Sequence, residues 1–199
     1  MCEKMKVLGI CGSPRKDANT EIALREALKI IEEQGIETEL VTLAGKKIEF
    51  CNHCNACKTG PCPIKDDVPE ILEKMVSSDA IIIASPTYFG NVTAQLKALM
   101  DRTLPLRRQG MKLRNKIGGA IATGATRNGG QEHVCSSIHN FMLLHEMIVV
   151  SDTVTAHFGG IALGGHEEKV VLSDEKGLET VKNLGRRIAD LLNSRRFDK

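Results

Sequence analysis

Five short apolar runs constrain this chain most. Each ends in a polar or glycine-rich loop, and each is followed, directly or after a longer loop, by a segment of helical periodicity. The runs cover residues 5–11, 37–43, 79–85, 116–123 and 147–153. The third, Asp79-Ala-Ile-Ile-Ile-Ala-Ser85, has no polar residue between its ends. A run apolar at every position suits a strand buried on both faces, which is the lot of a parallel sheet covered by helices on each side. Helical patterns follow at 68–78, 93–103, 131–146 and 174–193. The last of these repeats Leu178, Val181, Leu184, Ile188 and Leu191 at three- and four-residue intervals. A further helix begins near Asn19, the expected N-cap, and stops at Gly35. Its expected apolar face is Ile22, Ala23, Ala27, Leu28, Ile30 and Ile31. Strands alternating with helices predict a three-layer α/β fold: a doubly wound, parallel, five-stranded sheet of order 2-1-3-4-5. No repeat or linker divides the 199 residues, so one domain over 1–199 is expected.

In that order strands one and three flank the switch point where such folds bind FMN. Three loops reach it. The first, Gly12-Ser-Pro-Arg-Lys-Asp-Ala-Asn-Thr20, joins strand one to a helix start. Free backbone N–H groups and the helix dipole favour a phosphate there. Ser13, Asn19 and Thr20 add donors and Arg15 adds a charge. The loop matches neither the Walker pattern nor G-x-G-x-x-G; an ordinary strand-to-helix turn is the alternative. The second loop, Pro86-Thr87-Tyr88-Phe89-Gly90-Asn91, carries the chain's only tyrosine and one of its five phenylalanines. Aromatics in a Pro/Gly loop suit a planar ligand, although Phe89 could equally plug the core. The third follows Thr123 and contains Asn128, Gly129 and Gly130.

Four of the seven cysteines fall within residues 51–62, as Cys51, Cys54, Cys57 and Cys62 in a C-x2-C-x2-C-x4-C run. Buried structural cysteines scatter through a core; these crowd one polar loop. Gly60 and Pro61 supply the turn that returns Cys62 to the other three. C-x2-C-x2-C is a usual signature of an iron–sulfur cluster. Zinc is the nearest rival, but structural zinc sites space two ligand pairs further apart. Disulfides and free thiols are the other readings. His53 reads as a solvated loop residue. The surrounding irregular stretch, 45–67, is long for a compact domain, and long loops tend to be functional.

A net charge of +2 makes no case for nucleic acid or an anionic membrane. Aromatics at 3%, with no tryptophan, leave no stacking platforms for single strands. No apolar run approaches a membrane span, and the first residues lack a signal-peptide pattern. The expected compartment is the cytoplasm, where thiols stay reduced. Residues 102–111 are basic and read as a surface loop or dimer contact. Leu72, Met75 and Val76 are expected to face the core, and the tail 195–199 to be mobile.

Taken together, these motifs resemble the iron–sulfur flavoproteins, a branch of the NAD(P)H-dependent FMN reductase group with a flavodoxin-like fold. Residues 12–20 are similar to that family's FMN-phosphate loop, and 85–90 with 95–102 to the segment bordering the isoalloxazine ring. Asn128-Gly-Gly-Gln131 resembles its third flavin-side loop, and the cysteine run marks the branch. The resemblance implies FMN held by Ser13, Arg15, Asn19, Thr20, Pro86, Thr87, Tyr88, Phe89, Gly90, Asn91, Thr123, Asn128, Gly129 and Gly130. It implies a [4Fe–4S] cluster on Cys51, Cys54, Cys57 and Cys62. It also implies a homo-oligomer, dimer or tetramer, and electron exchange between cluster and flavin across a subunit boundary. The function expected is electron transfer between a one-electron donor such as ferredoxin and a two-electron acceptor such as oxygen, peroxide or quinone. The alternative is an NAD(P)H-dependent FMN or quinone reductase with structural zinc. One position departs from the family, which often has glycine where this chain has Ala18; an ordinary backbone is expected there, with the Asp17 side chain turned away.

Overall fold

The computed structural model describes residues 4–194. Its strands are β1 (Lys6–Cys11), β2 (Glu37–Thr42), β3 (Ala80–Pro86), β4 (Ile117–Gly124), β5 (Ile148–Val150) and β6 (Gly160–Leu163). They form one parallel sheet in the flavodoxin-like order β2-β1-β3-β4-β5. The outer edge of β4 is shared: β5 pairs with residues 117–119 and β6 with 121–124.

Strand β6, within the glycine-rich 156–165, is a sixth strand beyond the five expected. Glycine there marks close approach, not a loop. A Cβ on Gly159 would overlap the Ala120 carbonyl oxygen, and one on Gly160 would stand 2.9 Å from Ile121 and from Val181. Only bare backbone fits between β4 and the last helix.

Strand alternation sorts the core into two layers. Leu8, Ile10, Ile81 and Ile83 meet α2 (Val68–Ser77), α3 (Ala94–Arg102) and α5 (Gln131–Leu144). Val7, Cys11, Ile82 and Ala84 meet α1 (Asn19–Glu33) and α6 (Glu175–Ser194). The fully buried β4, Ile-Gly-Gly-Ala-Ile-Ala-Thr-Gly, separates them. A Cβ on Gly118 would stand 2.6 Å from Met142 Sδ of α5; one on Gly119 would stand 3.0 Å from Ile188 of α6. The two glycines let both helices settle against opposite faces of the strand.

Other boundaries shift by identifiable causes. Ala18, extended at φ −88°, is the N-cap of α1, and Asn19 is already helical. Its backbone is therefore ordinary. On α1, Leu24 is buried with Ala23, Ala27, Leu28 and Ile31, whereas Ile22 and Ile30 are half-buried. Val76 is 38% exposed and does not join the core. The basic stretch forms a short helix, α4 (Leu104–Arg108), opened by a proline in its first turn and anchored by buried Leu106. Residues 195–199 lie outside the described residues.

The cysteine stretch has one short 3₁₀ turn, Ala56–Lys58, and otherwise takes its shape from its ends. Lys47 N–H donates to Asp67 Oδ2 at 2.7 Å, and Asp67 N–H returns a bond to Lys47 O at 3.0 Å. Gln95 Nε2, on α3, donates to Leu43 O and Lys46 O at 2.9 and 3.0 Å. Beneath both lies a bidentate pair: Arg102 Nη1 and Nη2 meet Asp66 Oδ2 and Oδ1 at 2.7 and 3.1 Å, with the two side chains 1% and 0% exposed. Asp66 also accepts from Glu49 N–H and Val68 N–H, at 2.9 and 3.2 Å, and Arg102 donates to Glu49 O at 3.0 Å.

Burial alone would push the Asp66 carboxyl up. Arg102 and the two backbone donors outweigh it and hold the carboxyl below its usual range. A carboxylate with a depressed folded-state pKa stabilises above its unfolded value and loses that contribution as pH falls through the folded one. Asp66→Asn should cost about 3–5 kcal/mol at neutral pH by leaving Arg102 buried and uncompensated. It should also flatten the acid limb of the stability profile below about pH 4. Urea unfolding of both proteins across that range checks both effects.

Candidate functional site

At the C-terminal ends of β1, β3 and β4 the sheet opens into a cleft of about 320 Å³. Ser13, Arg15, Asn19 and Thr20 line it from the first loop, Pro86, Thr87 and Tyr88 from the second, and Thr123 from the end of β4. Phe89, Gly90, Asn91, Asn128, Gly129 and Gly130 are outside the lining. The Gly90 and Gly130 turns abut, since a Cβ on Gly130 would stand 3.4 Å from Gly90 Cα. Tyr88 and Asn91 exchange backbone bonds of 2.9 and 3.1 Å, with Phe89 and Gly90 between them at φ 50° and 73°. This is the tight turn with two left-handed central residues. It holds the Phe89 ring out in solvent, at 110% relative exposure, so Phe89 plugs no core.

Polar side chains of the first loop largely serve the protein itself. Ser13 Oγ accepts from Arg15 N–H at 3.1 Å. Thr20 Oγ1 lies 2.7 Å from Thr123 Oγ1. Asn19 Nδ2 donates to Gly164 O and Glu167 O, and its Oδ1 accepts from Val171 N–H at 3.1 Å. Gly12 N–H donates to Ala84 O, and Thr93 Oγ1, the cap of α3, donates to Gly12 O, both at 2.7 Å. Asp17 takes a left-handed backbone, φ 53°, with its N–H on Glu21 Oε2 at 3.2 Å, and is absent from the cleft lining.

Open donors remain at the start of α1. The N–H groups of Lys16, Ala18, Asn19 and Thr20 have no partner among the described residues. Arg15 reaches across the cleft to His166 O at 3.2 Å. Thr87 Oγ1 is buried without a hydrogen-bond partner. A positively polarised helix end, a guanidinium and an orphaned hydroxyl fit a phosphorylated, hydrogen-bonding ligand.

Gly124 and Ala125, at the head of the third loop, also line the cleft, and so do Gly164, Gly165 and His166, which sequence reasoning missed. Gly164 N–H donates to Gly124 O at 2.8 Å, continuing the β4–β6 pairing into the wall. The usable signal was the glycine pair after the last apolar residues of 160–163.

The four cysteines line a second hollow, with Asp101, Arg102 and Arg108 among its walls. His53 and Asn55 have left-handed backbones, φ 55° and 64°, that fold the C-x2-C-x2-C segment around this hollow. Cys54 is exposed and the other three half-buried. Arg108 Nη1 donates to Cys57 Sγ and Nη2 to Asn55 Oδ1, both at 3.1 Å. Arg102 Nε is buried without a partner. Burial would lower the Arg102 pKa; Asp66, with a smaller share from Cys62, holds it above its ordinary value. Among the described residues no three Cys, His, Asp or Glu side chains form a group placed to hold a single metal ion. Four thiols around one hollow are a soft donor set, suited to zinc or an iron–sulfur centre. In a four-iron cluster each thiolate would bind its own iron, so the sulfurs would need only to share the hollow.

Among the described residues, the thiols outside the loop and the helix histidines offer no comparable chemistry. Burial pushes the Cys11 and Cys135 thiols up to about 12. Burial, helped by Arg107, pushes His145 down to about 4, and its Nε2 lies 2.8 Å from Thr103 Oγ1.

The family described as NADPH-dependent FMN reductase matches residues 5–160. An iron–sulfur flavoprotein of Methanocaldococcus jannaschii is 55% identical over 190 residues, covering 94% of this chain and 97% of that one. The iron–sulfur flavoprotein of Methanosarcina thermophila is 45% identical, covering 94% and 95%. The structure of NAD(P)H:quinone oxidoreductase from Methanothermobacter marburgensis superposes with a TM-score of 0.70 at 17% identity, covering 94% and 96%, a likeness of fold. The cleft at the switch point and the cysteine hollow thus stand in a chain that belongs to the NADPH-dependent FMN reductase family, among its iron–sulfur flavoproteins.

Proposed function

We propose that this oxidoreductase relays electrons between a one-electron donor, such as a ferredoxin-like protein, and a two-electron acceptor, such as oxygen, peroxide or a quinone. The relay rests on two groups held by separate parts of one unit: FMN in the cleft and a [4Fe–4S] cluster in the hollow. The observation that carries this reading is four thiols around one hollow, on the same chain as a switch-point cleft with open N–H donors at the start of α1. When bound, a cluster exchanges single electrons and FMN one or two, which is the conversion such a relay needs.

The chain's own residues would do the holding. The N–H groups at the start of α1 and Arg15 would neutralise the flavin phosphate. Thr87 Oγ1 would find its missing partner on the flavin. Tyr88, in the lining, would border the ring, and the Phe89–Gly90 and Asn128–Gly130 turns would form the rim. Cys51, Cys54, Cys57 and Cys62 would each hold one iron within 45–67. A cytoplasmic setting would keep these thiols reduced, and no described helix is long and apolar enough to cross a membrane. We also propose a homo-oligomer, with the exposed Leu143, Leu144 and Ile148 as apolar surface for a second copy.

A second reading has its own support. The same thiols would suit zinc, and the family description names a nicotinamide-dependent reductase. That protein would hold zinc without sulfide and reduce its flavin rapidly with NAD(P)H.

Two measurements test the proposal. Cys57→Ala should remove iron and acid-labile sulfide and abolish ferredoxin-driven flavin reduction while leaving FMN bound; full retention of that reduction ends the relay reading. Arg15→Gln should weaken FMN binding about tenfold, the value of one charge-assisted hydrogen bond. Riboflavin, which lacks the phosphate, should bind both proteins equally in a fluorescence titration; equal losses for the two flavins would place Arg15 away from the phosphate.

A further inference from the structure

We propose that Arg108 sets the reduction potential of the group held by the cysteine loop, raising it through a fixed guanidinium contact to Cys57 Sγ. This rests on the cluster reading above and adds a tuning residue to it.

A chain of oriented bonds fixes the contact. Asn55 Nδ2 donates to His53 O at 3.2 Å, which leaves Asn55 Oδ1 as an acceptor. Arg108 Nη2 donates to that oxygen and Nη1 to Cys57 Sγ, both at 3.1 Å. Both arms of the fork are thus used, and the guanidinium cannot swing off the sulfur without breaking the second bond. The short helix α4 carries Arg108 to the wall of the hollow, and Gln109, the next residue, donates to Gly60 O at 3.2 Å between Cys57 and Cys62.

Two nearby carboxylates have other partners. Asp66 is taken by Arg102, and Asp101 by Lys97 at 2.7 Å. Among the described residues no carboxylate pairs with Arg108. Its charge, fixed across the working pH range, is therefore directed at the thiol. A thiolate-ligated cluster is anionic and gains one more negative charge on reduction. A nearby cation and an N–H···S bond both stabilise the reduced form more than the oxidised one, and hydrogen bonds to sulfur are among the determinants of such potentials.

The test is potentiometry, with iron and sulfide analysis, on protein purified without oxygen. In Arg108→Gln the one-electron equilibrium should shift about tenfold toward the oxidised form, 59 mV downward. Arg108→Lys, which keeps the charge and loses the fork, should fall between the two. Arg107→Gln is the control: it removes the same charge from a neighbour that lines the cavity beside Cys51 but bonds no cysteine, and should shift the potential by less. An unchanged potential in a cluster-loaded Arg108→Gln protein overturns the inference, as does an equal shift in Arg107→Gln. Should Arg108→Gln fail to load, Arg108→Lys decides alone, and a potential equal to that of the native protein overturns the inference. Native protein that holds zinc without sulfide overturns the cluster reading itself, and this inference with it.

Discussion

The loop that distinguishes this chain depends on one buried ion pair. Asp66 and Arg102 are both removed from water, a placement that costs several kcal/mol per charge unless the remaining bonding capacity is used. For the carboxylate it is used: the two oxygens of Asp66 receive two backbone N–H groups and both arms of Arg102, while Arg102 Nε keeps no partner. The bond from Glu49 to Asp66 closes a span of 17 positions, for which chain entropy asks roughly 2–3 kcal/mol. The pair offsets that cost with side chains alone. The base of the cysteine loop is therefore shaped by the protein itself, whatever its tip holds.

Much of this was legible in the sequence because the physics was local. The run at 79–85 could be read as a two-face-buried strand because nothing polar interrupts it. The strand order followed from alternation with helices. Four cysteines in one short loop pointed to the one hollow that they line. The misreadings fall where a residue's role is set by a distant neighbour. Asn19 looked like a cap, yet its amide is spent on residues 164–171, some 150 positions away. Glycines 159 and 160 are spacers against β4 and α6, a role set by Ala120, Ile121 and Val181. Ser13 and Thr20 do line the cleft, with their hydroxyls also bonded within the protein and backbone N–H groups open beside them. The cleft wall from Gly164 to His166 went unread for the same reason: its membership depends on β6 pairing with β4.

Electrostatics divides the two sites. The cleft offers a helix end and the charge of Arg15, which suits a compact anion. The hollow offers thiols with guanidinium groups behind two of them, at Cys57 and Cys62. Buried Cys11 and Cys135 are kept protonated by their surroundings, so the reactive sulfur of the described residues is concentrated in the loop.

Helix α3 serves both places. Thr93, its cap, holds Gly12 at the head of the first loop; Gln95 holds Leu43 and Lys46 at the root of the cysteine stretch; Arg102, nine positions beyond Thr93, holds Asp66. For anyone wishing to graft a metal centre onto a plain flavin reductase of this fold, the transplantable unit is thus larger than the cysteine motif. Residues 43–67 moved alone would arrive without a floor. The graft must bring Gln95 and Arg102 from α3 and Arg108 from α4. The recipient must also tolerate a new helix whose first residues already brace its flavin-side loop.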